Sequence, residues 1–320
     1  MANPSSLDAP AAVEYHYGEQ SLLQYLSVYL PRPLRNEGSE TGYWGNVCRL
    51  SSPIGASYVH GGAWRDPEIP ASSLDITRQM LCNGDPSIAS EIAGFASINY
   101  RLTRHPNFPQ DPESVDPKQY RDAKHPDHIT DVVSALAFLQ AKYSFGQRYV
   151  LVGHSCGATL AFQTVMQEIA GAEPARSKIA LPLAIVGVSG IYDLRLLRDT
   201  NSHPIYQQFT EDAFGKDEDV WDGVSPATVQ ARGVVEGWNT GRLAVLAISK
   251  GDELVDPPQL KVMCELLGRW KAHDGLDNAR EVLIIDDLEE SHNDIWKKGV
   301  ELAKVISKTI ETLKEMNIPN

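Results

Sequence analysis

The sequence predicts a single α/β domain over residues 1–320, with a mainly parallel sheet covered by helices on both faces. Short apolar runs that suit buried strands alternate with longer segments of helical period. A composition of 42% hydrophobic and 22% charged residues is typical of a soluble globular chain that buries a full core. Strands are expected at residues 56–59, 93–99, 148–152, 183–188, 243–248 and 281–285.

Helices are expected between these strands and after the last one. Apolar residues at helical spacing predict one helix over Ile129–Leu139, with Asp127 capping its first turn, and another from Ser155 through Ile169. A third helix is expected over Leu260–Trp270, and the longest over Ile295–Leu313.

Two segments interrupt the alternation of strands and helices. Residues 100–126 are rich in Pro, Asp and His and predict a long surface loop. Residues 192–241 carry a few aromatic side chains in polar surroundings and predict a small cap inserted into the domain. Both segments are candidates for the walls of an active site, because binding residues are often carried on such connections.

The charge and cysteine content narrow the expected partners and location. A formal net charge of −13 disfavours a nucleic acid or an anionic membrane as partner and favours a small molecule. The four scattered cysteines indicate reduced thiols, and the absence of a signal-peptide pattern makes the cytoplasm the default location. His105, His125 and His128 lack the regular spacing of metal ligands, so no metal site is predicted. The oligomeric state stays open, with a homodimer as one option.

The segment Gly153-His-Ser-Cys-Gly157 directly follows a predicted strand and precedes a predicted helix. A sharp turn in this context lifts a serine hydroxyl above the edge of the sheet, and the glycines let the backbone segments approach closely. The pattern therefore predicts Ser155 as a catalytic nucleophile in an α/β-hydrolase fold.

A serine nucleophile needs a base and an orienting carboxylate, which in this fold follow it in the order acid, then histidine. Asp252 lies after the strand at 243–248, and His292 is the one histidine after the last predicted strand. Both are assigned to the triad on position. Four nearby carboxylates remain alternatives for the acid: Glu253, Asp256, Asp286 and Asp287.

The segment His60-Gly-Gly-Ala-Trp64 directly follows the strand at 56–59. Glycines there let backbone N–H groups face a developing oxyanion, so Gly62, Ala63 and Cys156 are predicted to donate them. The side chain of Cys156 is expected to matter less than its backbone. Trp64 and Tyr192 are candidates for an aromatic substrate pocket.

These motifs resemble the kynurenine formamidase family, in particular its fungal members. The resemblance spans about Tyr58 to His292 and includes His60–Trp64, Gly153–Gly157 and the segment Ser189-Gly-Ile-Tyr-Asp193. It implies hydrolysis of N-formyl-L-kynurenine to L-kynurenine and formate in tryptophan breakdown and on the route to NAD, without metal or cofactor. Two alternatives stay open: a general carboxylesterase, which would need a larger acyl pocket, and a non-catalytic binding protein of the same fold.

Overall fold

The computed structural model describes residues 12–31, 54–173, 177–273 and 280–316. Within these ranges one sheet has the strand order β1-β2-β4-β3-β5-β6-β7-β8. The strands are β1 (Val13–His16), β2 (Tyr25–Tyr29), β3 (Ile54–Val59), β4 (Ile92–Ile98), β5 (Tyr149–His154), β6 (Ala184–Val188), β7 (Leu243–Ser249) and β8 (Glu281–Leu288). β2 pairs antiparallel with both β1 and β4, whereas the strands from β4 to β8 run parallel.

Helices cover the two faces of this sheet. They are α1 (Asp75–Asn83), α2 (Pro86–Ala89), α3 (Asp127–Tyr143), α4 (Cys156–Gln163), α5 (Leu194–Thr200), α6 (Ile205–Phe214), α7 (Glu218–Val224), α8 (Val234–Gly237), α9 (Pro257–Ala272), α10 (Asp294–Lys297) and α11 (Val300–Glu315). One core layer contains the buried faces of α3, α4 and α9, and the other contains those of α1 and α11. The predicted fold class is confirmed.

All six predicted strands are present, with boundaries shifted by only a few residues. The antiparallel strands β1 and β2 were not predicted. Because β3 and β5 to β8 are parallel neighbours, the loops after them open at one edge of the sheet.

Three predictions about the helices were wrong in detail. Asp127 does not cap α3; it is the first helical residue, and its carboxylate accepts the N–H of Lys124 at 3.3 Å. α4 ends at Gln163 instead of continuing to Ile169. In the segment after it, the N–H groups of Gln167 and Glu168 bond to the carbonyl of Arg232. The last helix is interrupted at Gly299, whose φ of 72° is left-handed.

The two irregular segments differ in structure. Residues 101–126 contain neither helix nor strand, and most residues of their middle part are exposed, as predicted for a loop. Residues 192–241 contain the four helices α5 to α8 between β6 and β7. In the described part of the chain, no helix has both the length and the apolar character needed to cross a membrane. Cys82, Cys156 and Cys264 are free thiols, and Cys48 lies outside the described residues.

Candidate active site

Ser155 lies in a tight turn between β5 and α4. Its φ of 55° and ψ of −125° place it in a strained backbone conformation, held by a 2.9 Å bond from its N–H to the carbonyl of Val188. Glycine is required on both sides of the turn. A Cβ on Gly153 would lie 2.3 Å from the carbonyl oxygen of Gly157, and one on Gly157 would lie 2.2 Å from that of Val59. Close backbone packing thus fixes the position of the serine.

His292 and Asp252 form a buried pair after β8 and β7. Nδ1 of His292 lies 3.0 Å from Oδ1 and 2.9 Å from Oδ2 of Asp252. The Asp252 carboxylate also accepts the N–H groups of Leu254 and Val255, each at 2.9 Å. Burial raises the pKa of Asp252, but the hydrogen bond and charge of His292, followed by the contacts from Ser189 and Val255, outweigh it, so the net pKa is lowered. The structure therefore holds Asp252 as a carboxylate that fixes the His292 ring.

Two further side chains hold the backbone of His292. Glu253 accepts the His292 N–H at 3.0 Å through Oε2, and Nε2 of His154 lies 3.1 Å from the His292 carbonyl oxygen. The His154 and His292 rings are 4.5 Å apart between centroids. Since His154 directly precedes Ser155, this contact brings the serine and histidine segments together at one edge of the sheet.

Neither supporting role is evident from the sequence. By position Glu253 is only an alternative acid, and the structure shows it bonded to the backbone of His292 rather than to its ring. His154 is fully buried, with Nδ1 unpartnered among the described residues. Burial, and next the neighbouring His292, hold the pKa of His154 well below its ordinary value. Its neutral ring donates from Nε2 to the carbonyl.

The His60–Trp64 loop lies directly against the nucleophile. A Cβ on Gly61 would lie 3.0 Å from the Cβ of Ser155, so the loop could not approach this closely with a larger residue. Gly62, Ala63 and Trp64 have φ values of 101°, 48° and 59°, all left-handed. Consecutive residues in such conformations can turn their N–H groups toward one concave side.

The three predicted oxyanion donors have no carbonyl acceptor, but the Cys156 thiol lies near two of them, the N–H groups of Ala63 and Cys156. No carbonyl group in the described ranges accepts a hydrogen bond from the N–H of Gly62, Ala63 or Cys156. Gly62 and Ala63 are partly exposed, and Cys156 begins α4, where N–H groups have no partner within the helix. The role of these three groups as oxyanion donors stays a prediction.

Buried side chains support the loop from behind. His60 stacks on Tyr100 with 4.5 Å between ring centroids, and the Tyr100 hydroxyl donates to the His60 carbonyl at 3.0 Å. Trp64 donates its N–H to Sγ of Cys156 at 3.3 Å. Cys156 is buried as expected, and its sulfur also links the loop to α4, a contact that the sequence did not indicate. Burial raises the pKa of this thiol to about 11, so it remains protonated.

The proposed pocket roles of Trp64 and Tyr192 are corrected by their burial. Trp64 has no exposed surface, and its ring packs edge-on against Phe214 at 4.9 Å. Tyr192 is 2% exposed and packs against Phe162. A substrate cannot contact either ring in this conformation. Trp64 instead connects the loop to α6.

The turn at Ser155, the His292–Asp252 pair and the His60–Trp64 loop lie at one edge of a mainly parallel sheet, as in the hydrolases of the α/β-hydrolase fold. Solved esterases share the fold. Esterase 2 of Thermogutta terrifontis superposes with a TM-score of 0.62 at 15% identity and 98% coverage of both chains. An esterase B of Lactobacillus rhamnosis superposes with a TM-score of 0.60 at 16% identity, covering 95% of this chain and 86% of the esterase.

Sequence relatives define the family more closely. A kynurenine formamidase-like hydrolase of Fusarium equiseti is 39% identical over 303 residues, covering 94% of this chain and 93% of the relative. A kynurenine formamidase of Aspergillus versicolor is 35% identical over 277 residues, covering 79% and 89%. No protein-family model matches the sequence. The chain belongs to the kynurenine formamidase family, which confirms the resemblance inferred from the motifs.

Proposed function

We propose that the protein hydrolyses the formamide bond of N-formyl-L-kynurenine, releasing L-kynurenine and formate. The observation that carries this proposal is the buried His292–Asp252 pair, whose histidine contacts His154 directly before the strained Ser155, in a chain whose relatives are named for this activity. The reaction would belong to tryptophan breakdown and the route to NAD, and we propose a cytoplasmic location.

Ser155 is assigned as the nucleophile. Its Oγ attacks the formyl carbon while His292 takes the hydroxyl proton, and Asp252 stabilises the resulting imidazolium. The tetrahedral oxyanion accepts hydrogen bonds from the N–H groups of Gly62, Ala63 and Cys156. His292 then returns the proton to the departing aryl amine, leaving a formyl ester on Ser155. Water activated by His292 hydrolyses that ester to formate.

Two segments are proposed to cover the site. The helices α5 to α8 would form the cap, and α6 is its member nearest the glycine loop, since Phe209 and Phe214 contact Trp64. The loop at 100–126 would form an opposite wall, because Thr103 donates its N–H to the Trp64 carbonyl at 2.9 Å. A formyl group needs almost no acyl pocket, which agrees with the near-complete burial of Ser155.

The direct test is hydrolysis of N-formyl-L-kynurenine, with formate and L-kynurenine quantified by chromatography. The wild type should turn over this substrate and Ser155→Ala should not, whereas Ser134→Ala, at a serine on α3 whose hydroxyl donates to the Thr130 carbonyl of the same helix, should retain activity. A fluorophosphonate should label the wild type and not Ser155→Ala.

Two results would contradict the proposal. Turnover of nitrophenyl esters but not of N-formyl-L-kynurenine would indicate a carboxylesterase. Failure of folded wild-type protein to take the fluorophosphonate label would indicate a non-catalytic binding protein.

A further inference from the structure

A cavity of about 440 Å³ lies between the 100–126 loop and the cap helix α6. The loop contributes two cationic and two aromatic side chains, and α6 contributes a carboxylate. These five residues are Arg104, Arg121, Phe108, Tyr120 and Asp212. We refer to this space as the loop–cap cavity.

The two arginines of the loop–cap cavity have unused hydrogen-bonding capacity. Arg121 donates from one terminal nitrogen to the Phe108 carbonyl at 2.7 Å, while its Nε is buried without a partner in the described part of the chain. The Arg104 guanidinium lies 5.4 Å from the centroid of the Tyr120 ring. Within the described ranges neither arginine forms an ion pair with a carboxylate. In a chain of net charge −13, two unpaired guanidinium groups in one cavity indicate an anionic ligand.

The cavity is linked on both sides to the His60–Trp64 loop, which carries two of the proposed oxyanion donors and is called the oxyanion loop below. Asp212 lies 3.3 Å from the guanidinium of Arg65, a buried residue that directly follows Trp64. On the other side, Thr103 bonds to the Trp64 carbonyl one residue before Arg104. Residues at or beside the cavity wall therefore bond directly to the end of the His60–Trp64 loop.

The charges match both ends of an α-amino acid. A guanidinium binds a carboxylate with two parallel hydrogen bonds, and the Asp212 carboxylate keeps acceptor positions beyond those facing Arg65. Phe108 and Tyr120 provide an apolar surface between these charged groups. A simple ester or an unsubstituted formanilide has no group that would use this combination.

We propose that the loop–cap cavity binds the amino-acid end of the substrate, with Arg104 and Arg121 on its carboxylate and Asp212 on its ammonium group. This inference rests on the proposed function, because it identifies the specificity determinants of that same reaction. N-Formyl-L-kynurenine carries its α-amino acid group several bonds from the formamide. The loop–cap cavity would hold one end while Ser155 attacks the other.

The test compares Arg104→Gln and Arg121→Gln with a matched control, Arg78→Gln. Arg78 also lies over a tyrosine ring, with 4.0 Å to the Tyr29 centroid, but it is on α1, which contributes no residue to the cavity lining. Two formamides are assayed: N-formyl-L-kynurenine, and 2-formamidoacetophenone, which lacks the amino-acid group. Binding of L-kynurenine to each protein is measured separately by calorimetry.

Each cavity variant should raise KM for N-formyl-L-kynurenine and Kd for L-kynurenine about tenfold or more, because a charged hydrogen-bond partner is lost. Neither kcat nor the hydrolysis of 2-formamidoacetophenone should change more than about twofold, and Arg78→Gln should match the wild type. Arg104 is exposed, so its variant should fold normally.

Unchanged Kd values for L-kynurenine in both variants would overturn the inference, as would equal losses on the two formamides. Arginine-dependent binding of L-kynurenine without turnover of N-formyl-L-kynurenine would support the cavity assignment while contradicting the proposed function. Turnover of N-formyl-L-kynurenine with arginine-independent binding of L-kynurenine would support the proposed function while contradicting the cavity assignment.

Discussion

Three different residues hold His292, and each holds a different part of it. Asp252 fixes the ring through Nδ1, Glu253 fixes the backbone N–H, and His154 fixes the backbone carbonyl. The contact that orients the His292 ring is therefore different from the two contacts that position its backbone. Catalysis by a triad depends on the first of these, because the acid selects the tautomer that leaves Nε2 free to accept the serine proton.

The first prediction separates the two carboxylates that contact His292. Asp252→Asn should lower kcat by about 10⁴, as loss of the triad carboxylate does in other serine hydrolases, because the amide can favour the wrong tautomer. Glu253→Gln keeps an oxygen to accept the backbone N–H and should lower kcat less than about tenfold. Steady-state kinetics on N-formyl-L-kynurenine would measure both. A larger loss in Glu253→Gln would make Glu253 the triad acid.

The second prediction concerns the sulfur of Cys156. Cys156→Ala would leave the buried Trp64 N–H without an acceptor, at a cost of about 1–3 kcal/mol in unfolding free energy, and would loosen the oxyanion loop, lowering kcat. Cys156→Ser keeps an acceptor at that position and should retain more activity than the alanine variant.

Cys264→Ala, at a half-buried thiol on α9, is the control for losing a cysteine. Urea denaturation and kcat would be measured for all three variants. Equal kcat values in Cys156→Ala and the wild type would show that the sulfur does not support the loop.

The candidate triad residues could be selected from the sequence because a local motif and a chain order define them. Ser155 stands between two glycines at a strand end, and Asp252 and His292 follow the next strands in the expected order. The supporting contacts had no such signal. His154 and His292 are 138 residues apart, and only the folded chain brings them together.

Parallel strands were easier to predict than the edge of the sheet. β5, β6 and β7 are buried along their whole length and read as continuous apolar runs. β1 has only four residues and is mostly exposed, so its alternation of apolar and polar residues is too short to stand out from the surrounding chain. The break before α11 was missed because the apolar stripe continues across Gly299 on both sides, and periodicity does not reveal a left-handed residue.

The third prediction tests that break. Gly299→Ala would place a Cβ 2.8 Å from the backbone nitrogen of Thr77 at a φ of 72°, so the unfolding free energy should fall by more than about 1–2 kcal/mol. Gly268→Ala in α9 meets no atom within 4 Å and should raise it by about 0.5–1 kcal/mol.

Gly146→Ala separates strain from crowding, because Gly146 has a φ of 57° with nothing within 4 Å of the added Cβ. Its cost should lie between those of the other two variants. Denaturation with urea would rank them. A Gly299→Ala protein as stable as the wild type would mean that α10 and α11 tolerate a continuous helix.

At the scale of the whole molecule, the fold buries two histidines, His128 and His154, in uncharged form. His128 bonds through Nε2 to the Thr103 hydroxyl at 3.0 Å, and His154 bonds through Nε2 to a carbonyl. Their Nδ1 atoms are buried and unpartnered within the described ranges. Burial, and next the neighbouring His125, lower the pKa of His128 to about 3. Protonation of either ring would place an unpaired charge in the core.

These two histidines make stability dependent on pH. Because their folded pKa values are depressed, the unfolded chain binds more protons than the folded chain below the ordinary histidine pKa of about 6.5. The unfolding free energy should therefore be highest above that pH and should decrease as the pH falls below it. Each histidine contributes up to about 1.4 kcal/mol per pH unit, and the loss for His128 continues toward its folded pKa of about 3.

The fourth prediction is that His128→Gln reduces this slope by about one proton, or about 1.4 kcal/mol per pH unit, in urea denaturation between about pH 6 and 5. The variant also loses core packing, so its absolute stability is not diagnostic. Leu136→Ala, in the same helix α3 and fully buried, is the matched control, since it should cost about 2–5 kcal/mol without changing the slope. An unchanged slope in His128→Gln would mean that His128 binds the same number of protons in the folded and unfolded chains. The buried neutral ring would then not be a source of the predicted loss of stability at low pH.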